Sequence, residues 1–181
     1  MRALAGLACL LLLAGCSASN AGQEGASLAS GEAVMSAEGQ TFTSTDGRFI
    51  MTGAPGWEAY PAPLTDPVVL VVLRAEEIDG FASNITATWH EPAVTYEQWR
   101  DAVIATLETE PSQAPPVTVA GKDIDGLTLE RTTGGAHIIQ YAYPIITDDG
   151  ILEVTASYRA EEDLAGDIVS MISSIRPAGD K

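Results

Sequence analysis

The sequence predicts an α+β fold in which a mainly antiparallel β-sheet is flanked by helices. Three observations predict it. Strand-like segments separated by turn residues follow one another from Thr41 onward. Two other segments carry apolar residues at the three- and four-residue spacing of a helix. The order along the chain is strands, helix, strands, helix, which is typical of helices laid on an antiparallel sheet.

The first strands are marked by turn residues and by apolar runs. Asp46-Gly47 separates residues 41–45 from 48–52 and predicts a two-residue hairpin turn, because both of its positions favour positive φ. After the turn Ala54-Pro55-Gly56, three further strands are predicted over residues 57–60, 68–74 and 84–90. The continuous apolar run of 68–74 indicates a central strand covered on both faces.

Two helices are predicted. The first spans 95–110, where Thr95 and Gln98 form a capping box and Pro111 ends the helix. The second spans 161–175, and its acidic first turn suits the positive end of the helix dipole. Apolar residues form one stripe on each predicted helix: Tyr96, Trp99, Val103 and Leu107 on the first, and Leu164, Ile168, Met171, Ile172 and Ile175 on the second.

Four more strands are predicted in the second half of the chain, over residues 117–120, 127–132, 136–143 and 151–158. The dipeptides Gly134-Gly135 and Asp149-Gly150 separate the last three strands. We therefore expect these three strands to form an antiparallel meander.

Length and charge exclude several classes of function. The 181 residues suffice for one domain with appendages, and 25 acidic against 9 basic residues leave a net charge of −16. Binding to nucleic acid needs clustered Lys and Arg, so nucleic acid is excluded as a partner. Two His and two Cys argue against a multi-ligand zinc site. The sequence contains no cofactor-binding motif, and no cofactor is expected.

The N-terminus is predicted to carry an export signal. Met1-Arg2 precedes an apolar run over 3–14, which is too short to span a bilayer, since spanning takes about 20 residues. Leu13-Ala14-Gly15-Cys16 resembles the bacterial lipobox, which is cleaved between Gly15 and Cys16 before the thiol is acylated. The alternative is an ordinary secretory signal with a chance cysteine, but no A-x-A cleavage site follows the run. Cys9 is a weaker anchor because the run before it is brief.

These features divide the chain into three parts. Residues 1–15 are predicted to be a lipoprotein signal peptide, 16–40 a lipid-anchored flexible tether, and 41–178 the globular domain. The expected location is the extracytoplasmic face of the cell membrane. Because so acidic a chain is repelled by anionic headgroups, the acyl chains on Cys16 are expected to provide the attachment.

The domain resembles the LpqN-type lipoproteins of actinobacteria. The resemblance is carried by Gly47-Arg48-Phe49-Ile50 with Pro55-Gly56-Trp57, by Asn84-Ile85-Thr86, and by the order of elements over about residues 41–177. Thr52-Gly53-Ala54 lengthens the family's spacing between Ile50 and Pro55. The resemblance implies a PsbP-like α/β/α sandwich and a non-enzymatic accessory or binding lipoprotein of the cell envelope. It assigns no ligand-binding residue.

Few residues offer catalytic chemistry. His90 and His137 are the acid–base candidates, but neither has Ser, Cys or Asp at a recognised spacing, which favours exposed strand-end histidines. Trp57, after a Pro-Gly turn, and Trp99, on the apolar stripe of its helix, are expected in the core. Trp89, beside His90 at the end of a strand, is the best candidate to line a ligand groove, with His90 next to it, although core packing is the more common role for a tryptophan even there. Three acidic clusters, each beside a glycine, indicate turns rather than calcium sites: Glu76-Glu77-Asp79, Asp123-Asp125 and Asp148-Asp149.

Three functions are consistent with these observations. The favoured one is a lipid-anchored envelope protein that binds a protein partner or an apolar or glycolipid molecule without turning it over. The second is an envelope hydrolase or transferase that combines carboxylates with His90 or His137. The third is a calcium-dependent module, in which calcium would raise the melting temperature.

Overall fold

The structure, a computed structural model, describes residues 40–179. The first half contains strands β1–β5 and one helix: β1 (Thr41–Thr43), β2 (Phe49–Thr52), β3 (Trp57–Ala59), β4 (Val68–Ile78), β5 (Phe81–His90) and α1 (Tyr96–Ile104). The second half contains β6 (Ser112–Gln113), β7 (Val117–Val119), β8 (Lys122–Ile124), β9 (Leu127–Thr133), β10 (Ala136–Ile146), β11 (Ile151–Arg159), α2 (Ala165–Ser173) and β12 (Arg176–Pro177).

A seven-stranded antiparallel sheet with the order β3-β4-β5-β11-β10-β9-β6 forms the centre of the fold. A three-stranded sheet, β1-β2-β12, and a two-stranded ribbon, β7-β8, complete it. The prediction of an α+β fold with a mainly antiparallel sheet is confirmed, and so is the meander, formed by β9, β10 and β11. The segment at 117–120 was expected as a sheet strand but lies in the separate ribbon.

The sheet separates two apolar clusters. On one face, the main core joins sheet residues such as Ile85 and Val154 to α2, to the three-stranded sheet and to the ribbon. On the other face, α1 packs Trp99 and Val103 against Leu127, Ala142 and Ile151. Trp57 and Trp99 are each 1% exposed, which confirms that both are core residues.

The hairpin around Asp46-Gly47 differs from its prediction. β1 ends at Thr43 and β2 begins at Phe49, so a five-residue loop replaces the two-residue turn. Gly47 has a φ of +70°, but Asp46 does not have positive φ. The Asp46 carboxylate instead accepts hydrogen bonds from the Ser44 hydroxyl at 2.6 Å and the Arg48 N–H at 3.1 Å. This side-chain bonding stabilises a wider loop.

The apolar run predicted as a central strand lies in β4, second from the sheet edge, so its predicted central position is wrong. The central strand is β11, which is buried along most of its length. Only short β3 lies outside β4.

Both helices are shorter than predicted. The capping box of Thr95 and Gln98 is confirmed, but α1 ends at Ile104 rather than at Glu110. Beyond it, the Thr106 hydroxyl donates to the Val103 carbonyl oxygen. The backbone N–H groups of Thr106 and Leu107 bond to carbonyls three residues back, not four as in an α-helix.

The second helix starts at Ala165 rather than at Glu161. The acidic residues expected in its first turn have other partners: Glu161 pairs with Arg159, and Glu162 accepts from the Ser83 hydroxyl at 2.6 Å. One local and one tertiary contact therefore hold Glu161 and Glu162 outside the helix.

The predicted signal peptide, cleavage site, lipidation residue Cys16 and tether lie outside the described residues, except for Gln40. Within residues 40–179, neither helix has the length and apolar character required to cross a membrane.

Candidate functional site

An open hollow of about 650 Å³ lies where β5 ends beside the β10–β11 turn and the β1–β2 loop. Six residues line it: Arg48, Phe49, Trp89, Glu91, Thr147 and Asp149. We call it the Trp89 hollow. It combines the aromatic surface of two side chains with a guanidinium, two carboxylates and a hydroxyl.

Trp89 is fixed in the wall of the hollow by the strand pleat. It lies on the same side of β5 as Ile85 and Ala87, and it packs against the main core. Its ring meets Phe49 with the centroids 5.6 Å apart. Gly150 closes its other edge so tightly that an added Cβ would lie 2.5 Å from the indole ring. The indole is therefore rigidly placed although it is only partly buried.

Arg48 covers the indole. Its guanidinium carbon lies 4.7 Å from the Trp89 ring centroid, in a cation–π contact. The guanidinium lies 3.6 Å from the Asp46 carboxylate and 3.7 Å from that of Glu91. The Trp89 indole N–H donates to Glu91 at 3.1 Å. Indole, guanidinium and carboxylate thus form one surface cluster, and the Arg48 side chain remains 47% exposed.

His90 does not line the hollow. In the β5–β11 ladder, Trp89 is opposite Leu152, which belongs to the main core, whereas His90 is opposite Ile151, which packs against α1. Neighbouring side chains in a strand point to opposite faces. The structure therefore separates the two residues that the sequence analysis placed in one groove.

The two histidines also lie far from each other. His90 is at the end of β5 beside the β10–β11 turn, whereas His137 is near the start of β10, at the opposite end of the ladder. His137 is 51% exposed, and its Nε2 lies 3.1 Å from the Glu130 carboxylate. This position matches the exposed strand-end histidine expected from the sequence.

In two of the three acidic clusters, a carboxylate accepts a hydrogen bond from another side chain of the domain. Asp79, in the β4–β5 turn, accepts from Arg159 at 2.9 Å, and Asp123 accepts from the Thr118 hydroxyl at 2.8 Å. Asp149 lies in the Trp89 hollow. Within residues 40–179, no group of three or more His, Cys, Asp or Glu side chains is placed to hold a metal ion.

Two buried tyrosines of the main core have pKa values that differ clearly from the ordinary value. Burial raises the pKa of Tyr143 and of Tyr158 above the ordinary value. The Tyr158 hydroxyl lies 2.8 Å from that of Tyr141, and the Tyr143 hydroxyl donates to the Pro115 carbonyl at 2.7 Å. These bonds satisfy buried hydroxyls and are structural.

Sequence reasoning missed Arg48, Phe49, Glu91, Thr147 and Asp149 as members of the site. Arg48 and Phe49 belong to the motif Gly47-Arg48-Phe49-Ile50, from which no ligand-binding role was predicted. Asp149 was assigned to a turn, which is also where it lies. The missing information was that the β1–β2 loop and the β10–β11 turn meet at the end of β5.

Fold and site together define a small α+β domain with an open polar and aromatic hollow at one end. No protein family model matches the chain, and no curated protein is similar to it in sequence. A crystal structure from Bacteroides thetaiotaomicron is similar in fold, with a TM-score of 0.55 and 11% identity. The similarity covers 77% of this chain and 48% of that one, so this chain spans about half the length of that protein.

Two smaller solved structures are also similar. The solution structure of cyanobacterial PsbP (CyanoP) from Synechocystis has a TM-score of 0.48 and 13% identity, covering 83% of this chain and 98% of that one. LpqN of Mycobacterium tuberculosis, described as involved in cell envelope biogenesis, has a TM-score of 0.49 and 10% identity, covering 77% and 84%. At these identities the similarity concerns the fold alone.

Proposed function

We propose that this protein is a lipid-anchored envelope lipoprotein of the LpqN type, whose domain at 41–178 acts as a non-enzymatic binding or accessory module. Its ligand is an envelope component, either a protein partner or an apolar or glycolipid molecule. The observation that carries the proposal is Leu13-Ala14-Gly15-Cys16 at the end of a short apolar run. The motif around Gly47-Arg48-Phe49-Ile50 supports the family assignment.

The geometry of the domain supports binding. The Trp89 hollow is open, and its aromatic wall is held by Phe49 and Gly150 before any ligand arrives. Such a preformed wall lowers the cost of ordering on binding. His90 and His137 lie at opposite ends of the sheet and outside the hollow, so they do not share one site with it.

The anchor is tested by expressing the full chain in a bacterial host with lipoprotein processing. The expected result is a membrane-bound protein whose N-terminal peptide begins at Cys16 and carries acyl chains by mass spectrometry. The Cys16→Ser variant is expected to lose both the mass increment and membrane attachment, whereas Cys9→Ser keeps them. A protein cleaved elsewhere and released without lipid contradicts the proposal.

Binding is tested by native mass spectrometry of the purified, acylated protein after incubation with a detergent extract of the host envelope. A retained adduct identifies a small ligand, and cross-linking in intact membranes identifies a protein partner. The catalytic alternative is tested by complementation of a deletion strain with the His90→Ala, His137→Ala double variant. We expect full function; complete loss, with the variant folded and anchored, would favour a hydrolase or transferase.

A further inference from the structure

One organic cation, the guanidinium of Arg48, already lies on the face of the Trp89 indole in the wall of the hollow. We propose that the hollow binds the guanidinium of an arginine side chain on a partner protein, and that Arg48 is an internal occupant which this arginine displaces. The proposal rests on the proposed binding function and names the ligand class of its site.

The aromatic wall is fixed, whereas its occupant is free to leave. Phe49 and Gly150 hold the Trp89 indole from the side of the protein. Arg48 is a long side chain with 47% of its surface exposed, on a loop between β1 and β2. An incoming side chain can therefore take the indole face once Arg48 swings into solvent, without any change in the core.

The contacts that retain Arg48 are weak. Its guanidinium lies 3.6 and 3.7 Å from the carboxylates of Asp46 and Glu91. Charge-assisted hydrogen bonds are shorter, about 2.7–2.9 Å. Exposed ion pairs and exposed cation–π contacts each contribute little to stability. A competing guanidinium with better geometry gains the short bonds that Arg48 does not make.

The charge around the hollow selects a cation. Glu91 and Asp149 line the wall, and Asp46 borders it, against the single positive charge of Arg48. The chain as a whole carries −16. Cations are attracted by such a field and anions are repelled. A planar guanidinium also stacks on an indole while it bonds to a carboxylate, which a compact ammonium cannot do equally well.

The test uses the acylated protein in detergent and follows the indole N–H signals by ¹H–¹⁵N NMR at constant ionic strength. Trp57 and Trp99 are each 1% exposed, so their signals serve as internal references, and Trp89→Phe assigns the third. Titration with N-acetyl-arginine amide is expected to shift the Trp89 signal in a saturable way. The neutral isostere N-acetyl-citrulline amide is expected to leave it unchanged.

The decisive comparison is between variants at Arg48. If Arg48 is a competitor, Arg48→Ala binds the blocked arginine about three- to tenfold more tightly, because the site is no longer occupied. Arg48→Met, which keeps the apolar stem, is expected to behave in the same way. Arg100→Ala is the matched control, since it removes one exposed positive charge on α1, away from the hollow. We expect no change in affinity for it. Glu91→Gln is expected to weaken binding.

The opposite result overturns the proposal. Weaker binding in both folded Arg48 variants would make Arg48 a ligand-binding group, and the absence of a saturable shift would exclude an arginine site. Neither outcome decides the proposed function, because membrane attachment and adducts from the envelope extract are measured independently of the titration. Failure of those measurements instead contradicts the binding function itself.

Discussion

Two tryptophans of this chain donate their indole N–H to a glutamate, one inside the molecule and one at its surface. Trp99, on α1, donates to Glu153 of β11 at 2.7 Å, and both residues are buried between the helix and the sheet. Trp89, at the end of β5, donates to Glu91 at 3.1 Å in an exposed setting. The chemical groups are the same, but the surroundings differ.

The difference shows what burial does to one type of contact. At Trp99, loss of the donor would leave a carboxylate inside the protein without that hydrogen bond, which is costly. At Trp89, water can replace either partner, so the contact is exchangeable. The buried pair therefore holds α1 on the sheet, whereas the exposed pair belongs to a surface that is free to change partners.

The largest expected effect separates the two tryptophans. Trp99→Ala is expected to lower the free energy of unfolding by about 3–5 kcal/mol, because a buried ring and a buried hydrogen bond are lost together. Trp89→Ala is expected to cost about 1–2 kcal/mol, since its ring is partly exposed. Urea denaturation of both variants measures the difference. Equal losses would mean that the two sites are equally structural.

The next effect concerns the fixed position of Trp89. A methyl group at Gly150 would lie 2.5 Å from the His90 carbonyl oxygen and from the Trp89 ring. Gly150→Ala is therefore expected to cost about 1–3 kcal/mol and to shift the Trp89 indole signal.

Gly166→Ala is the control for that substitution. Gly166 lies on α2 with no atom within 4 Å of an added Cβ, and Ala favours helix. We expect a gain of up to about 1 kcal/mol in the free energy of unfolding. A destabilised Gly166→Ala protein together with an unaffected Gly150→Ala protein would contradict the assigned packing.

A third prediction extends the comparison to another buried polar contact, that of Tyr141 and Tyr158. Burial raises the pKa of Tyr158 above the ordinary 10.0. At pH values at which this tyrosine ionises in the unfolded chain, it therefore stays protonated in the folded protein. Its contribution to stability is thus complete below pH 10 and is lost as pH rises beyond that value. Tyr158→Phe is expected to cost about 1 kcal/mol at neutral pH and to reduce the alkaline decline. Melting temperatures across pH 8–12 (a range set by the ordinary tyrosine pKa of about 10) measure both effects.

The smallest effect is expected at the exposed pair. Glu91→Gln is expected to change the free energy of unfolding by less than about 0.5 kcal/mol, because water replaces the lost charge contact with Arg48. Urea denaturation at low and high salt measures it. A loss comparable to that of Trp99→Ala would show that the hollow is part of the structural core and would remove the distinction between the two sites.

Local signals predicted elements better than their ends. The capping box at Thr95 was readable because it involves residues three apart, and the meander because Gly134-Gly135 and Asp149-Gly150 mark its turns. The start of α2 at Ala165 depends on a contact with another segment, the bond between Ser83 and Glu162. The end of α1 at Ile104 is accompanied by the local bond from Thr106 to Val103, which carries no strong sequence signal.

The site was predictable only in part. Trp89 was identified because it ends a strand beside polar residues, and the structure places it in the wall of the hollow. His90 was placed with it by sequence proximity, although the strand pleat sends the two side chains to opposite faces. Arg48 was missed because its contact with Trp89 links segments far apart in the chain.

The sequence by itself determined the class of fold, the burial of Trp57 and Trp99, and the beginning of α1, because periodicity and capping act over a few residues. The tertiary structure decided which segments meet at the end of β5, and with them the hollow formed by Arg48, Trp89 and Glu91. Sheet order and loop contacts bring distant residues together, and no local pattern encodes that meeting.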